Sequence, residues 1–542
     1  MTDDREKNAD INGPSRSGSS IDEKVSPDDL ELVHGDFKRM DVGLKLVTGH
    51  SKEPEVTPDE SKRLRRKIDW NLLPLLCAIY MVQFVDKGTL ATSSILGLLT
   101  DNNLSTNEYN TLGSSFYIGY LVFVLPQNWA LQVFPVARWL TLNIFLWCLF
   151  LGLHAVCKNF GGLFILRFLL GASEGSIAAG LMLVCGMFYT RTEIGERLGW
   201  TFQCNGLAVI VSSFLQFAMV HASSTATPNQ WQWLYLITTM MTFVVGLSFL
   251  FFFPDNPTNA RFLKAEERLK AVRRVQSNQN GIETKTWKVY QVREALWDPK
   301  TWYFAFFAGF ANLIGGIGVQ YSLVINAFGF TVLETSLLSI PLGVAQIVGI
   351  TTACYALRKF PNSRAIIGVI GWIPAIIGCL IEMCTPLDKR VPRLIGIYFL
   401  YLGSSPCFIM AMSWVTSTFS GHTKKSVARG FFLVGGALGQ ICSTQFWKDK
   451  YKPSYRVPFG IILMSHCVAA ILMLVARFRL DAENKRRDRL KAEAEKTGIG
   501  KESFEEWAIV EVEKDGKIVK EKIDKTFLDL TDGENLAFRY VL

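Results

Sequence analysis

The chain has 542 residues, of which 49% are hydrophobic and only 19% charged, with 38 Phe, 14 Trp and a net charge of +9; its mean hydropathy is +0.22. Soluble domains carry about 25% charged residues, and the charges here crowd into the first 70 or so residues, a middle stretch near 255–300 and the last 65 or so. A soluble enzyme is excluded, and the positive balance calls for no nucleic acid, because Lys and Arg that hold loops on the cytoplasmic side of a bilayer account for it.

Residues 1–66, rich in Asp, Glu, Ser, Pro and Lys, cannot bury enough surface to fold alone and predict a disordered cytoplasmic tail. The basic run "SKRLRRKIDW" follows, ending on a Trp at the expected membrane edge. Six apolar helices are expected near 71–93, 110–132, 138–157, 162–187, 196–220 and 231–253, forming a first bundle over 67–253. Runs such as "LTLNIFLWCLFLGLHAV" (140–156) are apolar on every side, as a membrane-spanning helix of about 20 residues must be. A polar stretch, 254–300, comes next. Within it Phe262, Leu269, Val272 and Val275 recur near helical spacing among basic residues. That pattern fits an amphipathic helix on or under the membrane, or a solvated connector. Six more helices are expected near 302–327, 333–357, 364–385, 392–417, 427–447 and 457–477, forming a second bundle over 301–478, before a charged cytoplasmic tail, 479–542. The fold class is therefore an all-α polytopic membrane protein with twelve transmembrane helices in two six-helix bundles.

Positive charge assigns the faces. Lys62, Arg63, Arg65, Arg66 and Lys67 precede helix 1, and Arg138, Arg191, Arg197, Arg358, Lys359, Arg364, Lys424, Lys425 and Arg429 fall on the same side as the central stretch and the tail. Both termini are expected to be cytoplasmic, in a multi-pass protein of the plasma membrane. Two loops on the opposite side, "DKRVPR" (388–393) and "KDKYKPSYR" (448–456), break the pattern. The eleven cysteines form no CxxC pair or zinc spacing and are expected to be reduced. No catalytic motif, metal site or cofactor site is present, so the chain is not expected to be an enzyme.

Ionisable residues inside the apolar runs single themselves out. "LRFLLGASEGS" (166–176) holds Arg167 and Glu174. A turn of about 100° per residue brings positions seven apart back to nearly the same face, and a charge at mid-membrane costs a few kcal/mol or more unless it faces protein or water. Both groups should point into the bundle. One reading has them lock helices together as a buried network. The other has Arg167 draw an anion and Glu174 carry a proton. Helix 1 adds Asp86 and Lys87 in "YMVQFVDKGTL". Either the helix ends there and both meet water, or Asp86 points inward, with Arg167 as partner and a share in proton coupling. Gly171 and Gly175 lie at small-residue spacing that lets a neighbouring helix approach, and Gly315 and Gly316 in "NLIGGIGVQYS" suit either close packing or an interrupted helix. Gln203, Asn205, Asn312, Gln320 and Gln346 could bond a substrate or other helices, and His154 and His466 look incidental or interfacial.

The segments "KIDWNLLPLLCAIYMVQFVDK", "FYIGYLVFVLPQNWA", "LRFLLGASEG", "MFYTRTEIGERLGW", "FFFPDNPTNARFLKAEER", "EALWDPKTW" and "GHTKKSVARGFFLVGGALGQ", together with the tail "DLTDGENLAFRYVL", resemble the fungal allantoate-permease branch of the anion:cation symporters within the major facilitator superfamily. The resemblance implies two bundles around a central cavity, alternating access and proton-coupled uptake of a small organic anion: a ureide, a vitamin carboxylate or a small peptide. Arg167, Gly171 and Glu174 match the branch's helix 4 pattern and Asp86 and Lys87 its acid–base pair in helix 1; Arg167, with Gln203, Asn205, Asn312 and Gln320 from the residue reading, is expected to bind substrate, and Glu174 and Asp86 to couple protons. The proton gradient supplies the energy, no cofactor is used, and the chain works as a monomer. The chain departs from the branch in keeping Arg138 without its acidic partner and in having Gly439–Gln440 where many relatives have Gly-Asn. Export of a metabolite and a transporter-like nutrient sensor are the competing expectations.

Overall fold

A computed structural model describes residues 57–221, 227–276, 288–360, 363–497, 504, 507–514, 517–524 and 530–542. The expected tail lies outside the described residues up to position 56. Its last residues do not belong to a tail, because the first helix, α1 (Pro58–Ser93), starts there. Thr57 and Glu60 close a capping box and Pro58 occupies the first turn, which satisfies backbone N–H groups a helix start leaves open. α1 does not end at Asp86. It runs on through a π-helical turn, Ser94–Leu98, to Asp101.

The first bundle continues with α2 (Thr106–Val133), α3 (Val136–His154), α4 (Phe160–Glu174) and α5 (Ile177–Phe188), which together make the fourth span, then α6 (Arg191–Val220) and α7 (Gln230–Phe252). The link carries α8 (Ala265–Gln276) and α9 (Val289–Trp297). α8 packs on α1 and α5. Leu269 is buried, Phe262 stacks on Phe188, and Lys67–Glu267 (2.5 Å) and Lys270–Glu60 (2.6 Å) tie it down. It is a strut on the protein, neither a free connector nor a helix whose apolar face is left to lipid.

The second bundle holds α10 (Pro299–Ala311) and α11 (Gly315–Ala327) as its first span, α12 (Val332–Leu338) and α13 (Ile340–Lys359) as its second, then α14 (Arg364–Cys384), α15 (Arg390–Thr418), α16 (His422–Thr444) and α17 (Arg456–Thr497). α17 carries the last span some twenty residues beyond the expected bundle limit of 478. The tail also contributes a two-stranded sheet, β1 (Trp507–Lys514) with β2 (Lys517–Asp524).

Each bundle has its own core, one around Leu76, Trp147 and Trp231, the other around Trp372, Trp414 and Phe459. The outside is apolar as well, with Leu142, Leu149, Ile165, Phe251, Ile370 and Ile377 exposed, as befits helices whose solvent is hydrocarbon. Among the described residues, ten helical stretches are long and apolar enough to cross a membrane. α2 and α16 fall short of that measure because they face each other along the seam between bundles and are polar there.

The face where α1 begins carries the basic clusters; the opposite face is called the far face. Near the far face the seam is closed. Asn110 Nδ2 donates to the Trp447 carbonyl (2.7 Å), Gln320 Nε2 donates to Asn110 Oδ1 (2.6 Å), Tyr109 donates to the Val319 carbonyl (2.7 Å), and the Ser114 and Thr444 hydroxyls meet at 2.5 Å. At mid-depth Gly206 on α6 and Gly343 on α13 let the backbones touch, since a Cβ on either would lie within 2.5 Å of the other's carbonyl oxygen. Three of the basic residues that broke the charge pattern are partnered. Arg393 is buried against Glu382 (3.2 Å), lies over the Phe328 ring and donates to the Ser454 carbonyl, Arg390 donates to Gly329, and Lys452 pairs with Asp449.

Candidate functional site

The ionisable residues of the first bundle meet in one place, where α1, α3, α4 and α7 converge. Asp86 is wholly buried and accepts a hydrogen bond from Trp147 Nε1 at 2.6 Å. Its neighbour Lys87 points elsewhere, as a turn of about 100° per residue requires. The Lys87 ammonium lies 3.5 Å from Glu174 Oε2 and over the rings of Phe84 (4.8 Å) and Phe116 (5.4 Å). The Glu174 side chain has no exposed surface, whereas 27% of the Lys87 side chain is exposed.

Arg167, 2% exposed, donates to the Tyr235 hydroxyl (3.0 Å). Tyr235 in turn stacks on His154 with ring centroids 5.2 Å apart, and His154 Nδ1 meets the Phe150 carbonyl at 2.7 Å. Asp86, Glu174 and Arg167 lie within one another's electrostatic field. Neither Glu174 oxygen, nor Arg167 Nε, has a hydrogen-bond partner. The cluster thus brings together two basic and two acidic side chains.

The backbone explains why these side chains are here. Gly171 sits one turn before Glu174, and a Cβ there would fall 1.9 Å from the Phe116 carbonyl oxygen; Gly119 on α2 mirrors it against Phe168. Two helices without side chains at the crossing come close enough to exclude water and lipid from the acid. Gly175 has only ordinary contacts, the nearest atoms of other residues lying 3.5 Å or more away. Its place is instead at the break between α4 and α5. In the second bundle a Cβ on Gly315 would strike Gln440, and one on Gly316 the Ser443 carbonyl. These two glycines therefore seat α11 on α16 beside an interrupted span.

The other substrate-binding candidates divide. Gln203 donates to Thr351 across the seam at 3.1 Å, and Asn205 is half-buried with an unpartnered Oδ1. Asn312 accepts from Gln440 Nε2 at 3.1 Å. Gln320 is buried in the far seam, bonded to Asn110, away from the ion cluster. Arg167 is held by Tyr235 within the bundle core. The cation with an exposed edge is Lys87, which the spacing argument passed over because only its neighbour was followed inward. Tyr235 and Trp147 gave no advance sign in a chain so rich in aromatics. His154 and His466 are both buried, neither interfacial.

The sequence profile described as "Major Facilitator Superfamily" matches residues 76–444. The chain belongs to that superfamily. Among curated proteins it is similar to the thiamine pathway transporter of Saccharomyces cerevisiae (32% identical, covering 92% of this chain and 89% of the relative). It is similar too to the allantoate permease of the same yeast (31%, 93% and 90%) and to its high affinity cysteine transporter (28%, 97% and 100%). Among solved structures it is similar to a D-xylose-proton symporter, with a TM-score of 0.58 at 11% identity over 74% of this chain and 97% of that one. The chain is accordingly a multi-pass membrane transporter of the major facilitator superfamily, within the fungal allantoate-permease branch, and not an enzyme. The two-bundle architecture is that superfamily's.

Proposed function

We propose that this transporter carries a small organic anion together with a proton, inward across the membrane, by alternating access. The observation that carries the reading is the ion pair between the partly open Lys87 and the sealed Glu174. With Asp86 and Arg167, and all four groups ionised, the cluster is neutral. A carboxylate that reaches the Lys87 ammonium adds a negative charge to a site poor in water, and an uncompensated buried charge costs several kcal/mol. Protonation of Glu174 restores neutrality and frees Lys87 for the substrate. Anion and proton therefore enter and leave as a pair, and the proton gradient drives uptake without a cofactor.

Trp147 fixes the position of Asp86 through its hydrogen bond, and Glu174, the acid paired with the partly exposed Lys87, is the group to which we assign the change of state. Gln203, Asn205, Asn312 and Gln440, on the two sides of the seam, are the polar groups suited to the remainder of the substrate. The positive-inside rule assigns the basic face to the cytoplasm; on that assignment the closed far face is the outer one and the described state faces inward. The similarity to an allantoate permease and to a cysteine transporter supports a small polar substrate bearing a carboxylate.

Uptake of labelled monocarboxylates, ureides and vitamins into proteoliposomes, with and without an inward proton gradient, tests this. The reading requires at least one carboxylate to accumulate only with the gradient. It fails if Glu174→Gln still accumulates that solute uphill in a pH-dependent way.

A further inference from the structure

The segment 530–542 plays no part in that chemistry, yet it is built into the basic face of the second bundle. Asp532, 1% exposed, pairs with Lys300 at the start of α10 and, at 2.8 Å, with Lys424 at the start of α16. The Tyr540 hydroxyl donates to the same carboxylate at 2.7 Å. Arg487, buried on the extension of α17, donates to the main-chain carbonyls of Asp532 (2.8 Å), Asn535 (3.1 Å) and Phe538 (3.0 Å). Asn484 exchanges two bonds with the main chain of Tyr540, each 2.9 Å. Trp414 at the end of α15 donates to the Val541 carbonyl, and the Arg364 main chain at the start of α14 donates to that of Leu542.

One short peptide thus joins five helices of the second bundle, four at their ends, and the bonds named all end on that bundle. Tyr540, Phe538 and Leu542 pack on the bundle's core, but the carboxylate of Asp532 is held by charges and a hydroxyl, so a charge change at that one residue attacks the docking directly. The peptide is joined to α17 through residues 498–529, so its docking is intramolecular. That is the construction of a reversible intramolecular ligand.

We propose that residues 530–542 form a regulatory strap, a peptide ligand of the second bundle's basic face, whose docking makes five helices move as one block and whose release slows transport. Rocking one bundle against the other requires each to move as a rigid body. The inference needs only that the bundles move, whatever solute or ion moves with them, so it stands or falls apart from the proton-coupled reading.

The test uses the full-length protein in lipid nanodiscs. Hydrogen exchange at the amides of 535–540 is compared between wild type, Asp532→Asn and Asp532→Lys, and the interconversion rate of the bundles is read from a fluorophore pair on the basic ends of α2 and α15. The strap predicts exchange about tenfold or more faster in Asp532→Lys, a local opening, with amides of α1–α7 unchanged and a smaller effect in Asp532→Asn. Bundle interconversion slows in the same order, and a synthetic peptide of residues 528–542 added to Asp532→Lys restores it. Unchanged exchange in Asp532→Lys overturns docking through Asp532. Accelerated exchange with unaltered interconversion, or with no rescue by the peptide, overturns the regulatory role.

Discussion

At the scale of single residues, the site depends on which of two adjacent charges reaches open space. Asp86 and Lys87 diverge because a helix turns between them, and it is Lys87 that touches both Glu174 and the exterior of the bundle. Lys87→Met should therefore weaken binding of the transported anion by removing a charge-assisted contact worth about 1.5–3 kcal/mol, a roughly 10- to 150-fold effect, measured as the Kd for substrate in detergent. An unchanged Kd would shift the anion site to Arg167. Glu174→Gln should leave substrate counterflow running while abolishing its dependence on pH, which separates proton coupling from binding. Gly171→Leu forces a side chain onto the Phe116 carbonyl; overpacking of this kind costs about 1–3 kcal/mol and should appear as a lower Tm. The presence of charge inside the fourth span was legible from residues alone, because the membrane makes such charge conspicuous. Its pairing was not. Tyr235 lies far along the chain from Arg167, and no periodicity links them.

Among the elements, two departures from apolar length carry information. α2 and α16 are the long helices that fail as simple hydrophobic spans, and they are the ones that meet across the seam at Ser114 and Thr444. The break between α10 and α11 falls at Asn312, whose side chain is held by Gln440 from α16. The glycines around this break suited either close packing or an interruption in the sequence, and the partner at the break comes from another helix. Outside the membrane, burial alone would push the Asp532 carboxyl up, yet the ammoniums of Lys300 and Lys424, with Tyr540 and Arg487 facing the same residue, hold it down to about 2. A carboxylate held low stabilises the folded form above its ordinary range, near 4, and this contribution is lost only as pH falls toward 2. Hydrogen-exchange protection of 535–540 should consequently stay constant from pH 8 to about 5; a loss of protection near pH 6 would mean that another group governs the strap.

For the whole molecule, alternating access requires the far seam to part. The bonds of Asn110 to Trp447 and Gln320, and of Ser114 to Thr444, must then be exchanged for water or other partners. Replacing Asn110 by Leu removes two of them at once. The double-cysteine variant Ser114→Cys/Thr444→Cys should cross-link in the described state and stop transport, with reduction restoring it; full activity in the cross-linked protein would show that the seam does not open. The sequence by itself determined the class of the protein: charge segregated from apolar runs long enough to span a bilayer leaves only a polytopic helical fold, and the misplaced ionisable residues mark its interior. Tertiary structure alone decided which charges pair, which cation keeps an open edge, and that the tail returns to the second bundle. Hydrophobic length and charge sidedness are properties of local sequence answering to the membrane, whereas ion pairing and docking depend on distances between segments that are remote along the chain.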